Sequence, residues 1–254
     1  MGAKGLNSAE LLLEKALRNW QGWNVSLKTA PMLITELSGG KTNRSFLVGD
    51  HHFRAVVRIN AERSEQLGIC RAREQSILSL LEPIGVAPAV LYCDTSALVS
   101  GFVEGRQWTK EDLKDKKKIA QLAECIEQIQ SVKMPHGVEP RHYESYCNHY
   151  IFQLTEEERK IHSRDIDRWV SIARQIDRSD WTPVICHSDL VPENIVETEQ
   201  GLILLDWEYA DWGHPAVDYL KINQVSSQNP DLLVLIEGID RLWWLLQNSS
   251  ELNK

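Results

Sequence analysis

The sequence predicts an α+β fold with two lobes, in which a small antiparallel sheet with one helix precedes a mostly helical part. Short β-branched runs separated by glycine turns fill the first part, and helical spacing of apolar residues dominates the second. The segment Ser100-Gly-Phe-Val-Glu-Gly105 lies between them, and its glycines suit a hinge. We therefore expect lobes over residues 1–99 and 106–254, joined by a hinge over residues 100–105.

The elements of the first lobe follow from the spacing of its apolar residues. Runs with helical spacing predict two helices, at 8–19 and 66–81. Short runs of β-branched or apolar residues predict five strands, at 32–37, 44–48, 53–59, 90–93 and 97–99. The turn signals Ser38-Gly-Gly40 and Gly49-Asp50 separate the first three strands and indicate an antiparallel meander. Pro83 marks the end of the second helix.

Helical patterns dominate the second lobe. Helices are expected at 109–132, 143–150, 155–176, 216–225 and 231–246. Two of them begin with patterns typical of a capping box, Thr109-Lys-Glu-Asp112 and Thr155-Glu-Glu-Glu158. Two short apolar runs, 184–186 and 202–206, predict buried strands on either side of a polar tract.

Composition excludes several classes of protein. The net charge of −8 argues against a nucleic-acid partner, because proteins that bind phosphate backbones are usually basic. No apolar run approaches the roughly 20 residues that cross a bilayer, so we expect no membrane insertion. The five cysteines are scattered without metal-site or redox spacing, which indicates reduced thiols in a cytoplasmic protein.

The polar tract His187-Ser-Asp-Leu-Val-Pro-Glu-Asn194 carries the strongest chemical signal. It places Asp189 five residues before Asn194, and Asp206 follows at the end of the apolar run Leu202-Ile-Leu-Leu205. Phosphoryl transfer from a nucleotide needs such a set, because one carboxylate orients the acceptor hydroxyl while an amide and a second carboxylate hold magnesium. A structural alternative is that these polar residues only form turns and a helix cap.

These tracts, together with Leu204-Leu-Asp-Trp-Glu-Tyr-Ala210, resemble the aminoglycoside phosphotransferase and choline kinase superfamily over about residues 33–222. The resemblance implies a protein-kinase-like two-lobed fold, with ATP and Mg²⁺ as cofactors. It also implies that Asp189 is the catalytic base and that Asn194 and Asp206 bind magnesium. His187 and Asp218 would support the catalytic loop.

The same resemblance places the nucleotide against the first lobe. Its expected contacts are Ser38, Gly39, Gly40, Asn43, Arg58, Glu74, Ser100 and Phe102. The two glycines let backbone N–H groups approach phosphates, although a plain hairpin would also explain them. Arg58 would grip phosphate with its planar guanidinium, paired with Glu74 or alternatively with Glu65. The hinge would present backbone groups to adenine.

The acceptor is predicted to be a small molecule. Only twelve residues separate Asp206 from Asp218 and no Ala-Pro-Glu follows, which leaves no room for a peptide-docking segment. The expected acceptor-site residues are Tyr146, Glu208, Trp212 and Trp243. Aromatic faces bind quaternary ammonium groups, so choline or a related cationic amino-alcohol is the first candidate. The alternative for each ring is a core residue.

Other functions stay open from the sequence. Thiamine is a cation with a primary hydroxyl, and an aminoglycoside would require more clustered acids than the loops show. A catalytically silent nucleotide-binding regulatory protein is the alternative from another class. Only 36 residues follow Asp218, so the acceptor pocket is either open or completed by a second subunit in a homodimer.

Overall fold

The computed structural model describes residues 7–38, 42–222 and 229–251, with side chains as far as residue 248. The helices are α1 Ser8–Arg18, α2 Arg71–Leu81, α3 Lys116–Gln130, α4 Tyr143–Ile151, α5 Glu156–Ile161, α6 Ser163–Arg178, α7 Val217–Lys221 and α8 Pro230–Glu251. The strands are β1 Met32–Leu37, β2 Arg44–Gly49, β3 Arg54–Ile59, β4 Val90–Cys93, β5 Ala97–Gly101, β6 Arg106–Gln107, β7 Val184–Cys186, β8 Ile195–Thr198, β9 Gly201–Leu204 and β10 Asp211–Gly213.

The five predicted strands of the first part form one antiparallel sheet in the order β1-β2-β3-β5-β4. Alternate residues of β2 and β3, including Phe46, Val48 and Val57, are buried, as the period of two in a strand requires. Leu13 and Ala16 of α1 pack in the same core cluster. The amphipathic helix predicted at the start of the chain therefore covers this sheet.

Helix α2 packs in a different core from α1. Its residues Ile77, Leu78 and Leu81 share a cluster with Ile126 of α3 and Leu204 of β9. The backbone adds a link, because the Leu204 N–H donates to the Val86 carbonyl at 2.8 Å. A helix from the first predicted lobe is thus held by the helical part of the chain.

Three helix boundaries differ from the sequence prediction, each for a local reason. Helix α2 begins at Arg71 and not at residue 66, because Gly68 has a left-handed backbone (φ 72°) that interrupts the helical path. Helix α3 begins at Lys116, where the Asp115 side chain accepts from the Lys117 N–H. The predicted helix 155–176 is two helices, α5 and α6, with a break at His162.

The predicted capping boxes had opposite outcomes. At Thr155, the hydroxyl accepts from the Glu158 N–H and the Glu158 carboxylate accepts from the Thr155 N–H, so the box is confirmed. At Thr109, the Asp112 carboxylate accepts from the Thr109 N–H but also binds Arg106 and Lys118. The Asp112 N–H donates to the Thr109 carbonyl at 3.0 Å and not to the Thr109 hydroxyl, so only half of the box and a short turn form there.

The strands around the polar tract also differ from prediction. Strands β6, β8 and β10 were not predicted, and each has only two to four residues. Strand β9 ends at Leu204, so Asp206 lies two residues beyond it. Helix α7 spans Val217–Lys221, and the end of the predicted helix 216–225 falls outside the described residues.

Two expectations from composition can be compared with the structure. All five cysteines are free thiols. Within the described ranges, no helix combines the length and the apolar character that a bilayer crossing requires.

The close contact between α6 and α8 generates a test of packing. A Cβ at Gly238 would lie 2.5 Å from the Trp169 ring, so we expect Gly238→Ala to lower the free energy of unfolding by about 1–3 kcal/mol. Gly22→Ala is the matched control, because its Cβ would meet only ordinary contacts at 3.5 Å or more. Urea unfolding of both variants measures this, and equal midpoints would contradict the packing.

Candidate active site

The polar tract forms a loop between β7 and β8 that Asp218 holds in place. Asp218 is 1% exposed, and its two carboxylate oxygens accept from the N–H groups of His187 at 2.8 Å and Ser188 at 2.9 Å. Ser188 has a φ of 67°, a conformation that non-glycine residues adopt only where their surroundings enforce it. The buried carboxylate supplies that enforcement, and burial raises the pKa of Asp218.

His187 is buried and connects this loop to the end of β9. Its Nδ1 accepts from the Asp189 N–H at 3.3 Å, so the ring proton lies on Nε2. Nε2 then donates to the Leu205 carbonyl at 2.8 Å, and the ring packs against Trp207 at 4.5 Å between centroids. The ring therefore fixes Asp189 relative to the segment that carries Asp206.

Asp189 and Asn194 lie together on the partly exposed side of the loop. The Asn194 Nδ2 group donates to the Asp189 backbone carbonyl at 3.0 Å and to Asp189 Oδ2 at 3.1 Å. These two bonds fix the orientation of both side chains. They leave Asp189 Oδ1 available for an acceptor hydroxyl and Asn194 Oδ1 available for a cation.

Asp206 follows β9 in a left-handed conformation with a φ of 61°. Its carboxylate lies 3.6 Å from Arg58 Nη1, so it faces the guanidinium of β3. Burial, and then the neighbouring Glu208 carboxylate, raise the pKa of Asp206 to about 7. The side chain remains 40% exposed, so solvent screening weakens this effect.

The donor set of Asn194 and Asp206 fits a magnesium ion. Mg²⁺ prefers oxygen ligands and is commonly held by one or two protein oxygens together with phosphate oxygens. Asn194 Oδ1 and the Asp206 carboxylate are such oxygens, and a cation beside Asp206 would relieve its repulsion with Glu208. Within the described part of the chain, no group of three or more histidine, cysteine, aspartate or glutamate side chains forms a metal site.

Arg58 and Glu74 form a buried bidentate ion pair. The Arg58 Nη1 and Nη2 groups donate to the two Glu74 carboxylate oxygens at 2.6 and 2.7 Å. Both residues are at most 8% exposed. Burial lowers the pKa of Arg58, but Glu74 outweighs it, so the guanidinium stays charged. Of the two partners left open by the sequence, Glu74 is therefore the one that Arg58 binds.

Arg71 is a site residue that the sequence reasoning missed. Its Nη1 group donates at 3.0 Å to both Glu74 Oε2 and Glu208 Oε2. Its Nη2 group donates to Asn43 Oδ1 at 3.0 Å and to Ser64 Oγ at 2.9 Å. The available signal was its position three residues before Glu74, which places both side chains on one helix face.

The predicted phosphate loop lies partly outside the described residues. Gly39 and Gly40 belong to that part, and Ser38 is exposed directly after β1. Asn43 is 8% exposed; its Nδ2 group donates to Glu208 at 2.6 Å and its Oδ1 atom accepts from the Ala61 N–H at 3.1 Å. The structure thus brings the end of this loop to the segment after Asp206.

The predicted hinge residues lie at the end of the sheet. Ser100 belongs to β5, where it pairs with Val56 on one side and Val90 on the other. The Phe102 N–H donates to the Arg54 carbonyl at 3.2 Å, and the Arg54 guanidinium lies 4.6 Å from the Phe102 ring. Any backbone contact from Phe102 to adenine would therefore use its carbonyl. The adenine contact of both residues stays a prediction.

The four predicted acceptor-site residues separate into two groups. Trp212 is 2% exposed and packs in the core beside β7, so its ring presents no open face to a ligand. Glu208 is 2% exposed and binds Arg71 and Asn43. Trp243 and Tyr146 are partly exposed. Both interact with Tyr209. The Trp243 Nε1 group donates to the Tyr209 hydroxyl at 2.7 Å. Burial and the Glu208 charge raise the pKa of Tyr209, and Tyr146 makes a smaller contribution in the same direction.

Arginines neutralise the carboxylates near these rings. Asp211 accepts from Arg141 Nε at 2.9 Å and lies 3.1 Å from Arg73 Nη1. The Arg141 guanidinium also lies 4.3 Å from the centre of the Tyr146 ring. One face of Tyr146 is consequently already in contact with a protein cation.

Comparison with known proteins adds family information to this geometry. The sequence matches the family described as the phosphotransferase enzyme family over residues 33–236. A probable ethanolamine kinase of Arabidopsis thaliana is 24% identical over 224 residues, which are 82% of this chain and 59% of that protein. The chain thus spans less than two thirds of the length of this relative.

Solved structures show the same fold. The choline kinase LicA from Streptococcus pneumoniae superposes with a TM-score of 0.74 at 20% identity, covering 96% of this chain and 92% of that one. A thermostable mutant of aminoglycoside phosphotransferase APH(4)-Ia, in a ternary complex with AMP-PNP and hygromycin B, superposes with a TM-score of 0.62 at 15% identity, covering 85% and 87%. These likenesses confirm the predicted α+β, protein-kinase-like fold.

The raised pKa of Asp206 predicts a pH dependence of stability in the absence of metal. Between about pH 4 and 7, Asp206 keeps its proton in the folded protein but loses it in the unfolded chain. The free energy of unfolding therefore falls as pH rises through this range. Asp206→Asn removes this cost, and we expect its stability relative to the native chain to increase from pH 4.5 to 7.5.

The increase should be smaller than the ~1.4 kcal/mol per pH unit of a full proton, because the side chain is partly exposed. Urea unfolding of both proteins at four pH values measures the difference. A difference that is constant with pH would contradict the shift.

Proposed function

The chain belongs to the phosphotransferase enzyme family, and we propose that it transfers the terminal phosphoryl group of ATP to the hydroxyl of a small molecule, choline or a related amino-alcohol. The observation that carries the proposal is the convergence of Asp189, Asn194 and Asp206 with the Arg58–Glu74 pair. A nucleotide would lie between the first predicted lobe, which supplies Arg58, and the second, which supplies Asp206.

Asp189 is proposed to orient the acceptor. The Asn194 amide holds Asp189 Oδ2, so Oδ1 is the atom that accepts the hydrogen bond of the acceptor hydroxyl. In that position the carboxylate directs the hydroxyl oxygen toward the terminal phosphorus of ATP. It accepts the hydroxyl proton as the new P–O bond forms, while the bond from that phosphorus to the bridging oxygen breaks and ADP leaves with the electron pair. Because His187 and Asp218 fix the loop, this orientation is set before the substrate binds.

Arg58, Asn194 and Asp206 are proposed to bind the phosphates. Asn194 Oδ1 and the Asp206 carboxylate would hold Mg²⁺, which neutralises charge on the phosphate oxygens when bound. Arg58 carries a positive charge to the same place, and Glu74 fixes its plane. These side chains position the nucleotide and offset its charge, which is the main need of a loose phosphoryl-transfer transition state.

The relatives and the aromatic residues support a cationic alcohol as acceptor. The relatives reported above include a choline kinase and a probable ethanolamine kinase. Tyr209 and Trp243 are partly exposed and hydrogen-bonded to each other close to Glu208, so they offer aromatic faces near the reacting groups. Glu208 and Asp211 are already paired with arginines, which disfavours an aminoglycoside with several ammonium groups.

The cytoplasm, where thiols stay reduced, suits the free cysteines.

Asp189→Asn tests the catalytic role. We expect kcat to fall by about 10²–10⁴-fold, because the amide cannot accept the proton, while binding of ADP with magnesium is retained. Asp180→Asn is the matched control, since Asp180 is exposed and precedes β7, outside the loop. Coupled measurement of ADP release gives kcat, and calorimetry gives nucleotide affinity.

Nucleotide binding without turnover of any hydroxyl compound would instead favour a catalytically silent regulatory protein.

An acceptor panel tests the substrate class. The panel contains choline, ethanolamine, thiamine and hygromycin B. We expect kcat/KM for the better of the two amino-alcohols to exceed that for thiamine and for hygromycin B by at least about tenfold, which corresponds to about 1.4 kcal/mol in transition-state binding. Trp243→Leu should raise KM for that alcohol without changing KM for ATP, because it removes an aromatic face. A preference for thiamine or hygromycin B would overturn the assignment.

A further inference from the structure

Arg71, the first residue of α2, binds four segments of the chain through one guanidinium group. Its side chain is 14% exposed, and its partners are Glu74 in α2, Glu208 after β9, Asn43 before β2 and Ser64 before α2. All four contacts are between 2.9 and 3.0 Å. No other described side chain bonds to this set of segments.

Three of the four partners of Arg71, namely Glu74, Glu208 and Asn43, are one step from a group that the proposed reaction uses. Glu74 holds the Arg58 guanidinium in its plane. Glu208 lies two residues after Asp206 in the same short turn. Asn43 ends the predicted phosphate loop and also donates to Glu208. Arg71 itself is not adjacent to Asp189, so it would act on the reaction through other residues.

The backbone of Asp206 requires support of this kind. A non-glycine residue with a φ of 61° costs about 1–3 kcal/mol and persists only where contacts around it enforce it. The turn Trp207–Tyr209 that follows is fixed by two buried side chains, Trp207 and Glu208. Glu208 is held from the side of the nucleotide lobe by Arg71 and Asn43.

Charge balance gives Arg71 a second role. Glu74 and Glu208 are both nearly buried, and the Glu208 carboxylate repels Asp206. Arg71 lies between the two glutamates at hydrogen-bond distance from both. Without it, Glu208 would be a buried carboxylate with one neutral partner, Asn43, and would turn toward another cation. Arg58 is such a cation, since the Glu208 charge already helps to raise the pKa of Arg58.

We propose that Arg71 is a positioning residue that fixes Glu208 and Asn43, and thereby sets the Asp206 carboxylate for binding of the magnesium–nucleotide complex. This proposal rests on the proposed function. A lysine cannot replace the arginine, because one ammonium group does not reach four acceptors placed around a planar fork.

Nucleotide binding measured by calorimetry tests the proposal without knowledge of the acceptor. We expect Arg71→Lys and Arg71→Met to weaken binding of ADP with magnesium by about 10–100-fold, the usual effect of removing a group that orients a metal ligand. Binding of ADP without magnesium should change less than threefold. Arg63→Met is the matched control, because Arg63 is exposed and its guanidinium donates at 2.7 Å to Gln66, which is not among the partners of Arg71.

A double-mutant cycle separates positioning from simple stability. Glu208→Gln keeps the shape of the side chain, and we expect its effect on magnesium–ADP affinity to be strongly non-additive with that of Arg71→Lys. Urea midpoints of all variants are recorded in parallel. Additive effects, or a loss of affinity that is equal with and without magnesium, would overturn the proposal.

The two proposals fail differently. A native chain that does not bind magnesium–ADP contradicts the proposed function. A native chain that binds it, with Arg71 variants that bind equally well, contradicts only the role of Arg71. If Arg71→Met does not fold, Arg71→Lys and Glu208→Gln still provide the comparison.

Discussion

Two nearly buried carboxylates, Glu74 and Glu208, are paired with two arginines, and the rest of the site depends on this pairing. Arg58 binds Glu74 with both terminal nitrogens, and Arg71 bridges Glu74 to Glu208. Breaking a buried pair by removing one partner costs about 3–5 kcal/mol, so each group depends on the others. The sheet, α2 and the segment after β9 can therefore occupy only those relative positions that keep the four charges paired.

Apolar contacts and a hydrogen bond hold α2 in place in addition to this charge network. On its apolar side, Ile77 and Leu81 share a core with the helical part of the chain. Just before it, Gly68 lies close to the rings of Tyr146 and Tyr150 in α4, and the Tyr150 hydroxyl donates to the Leu67 carbonyl at 2.8 Å. Helix α2 is thus anchored at its start, along its apolar face and through its arginines, so the Arg58–Glu74 pair has a fixed platform.

Paired charges also surround the proposed acceptor side of the site. Asp211 binds Arg73 and Arg141, and Arg141 also covers one face of Tyr146. Carboxylates that are already paired attract a further cation only weakly, whereas ring faces that are partly exposed remain available. These contacts support the proposal of a single onium group as acceptor over a polyamine.

The sequence by itself determined the features whose cause is local. The bond between Asn194 and Asp189 spans five residues, the Thr155 capping box spans three, and the strands and amphipathic helices follow from their own periodicity. The position of Asp206 just after an apolar strand was likewise readable from the sequence, whereas Arg58 and Glu74 came from the family resemblance.

Only the tertiary structure decided the roles that depend on distant partners. Glu208 and Trp212 were both predicted to face the acceptor; the fold pairs Glu208 with Asn43, 165 residues away, and buries Trp212 in the core. Arg71 and Glu208 are 137 residues apart, and no local pattern marks their contact. Charge pairing and burial depend on which segments the whole chain brings together, and propensity and spacing do not contain that information.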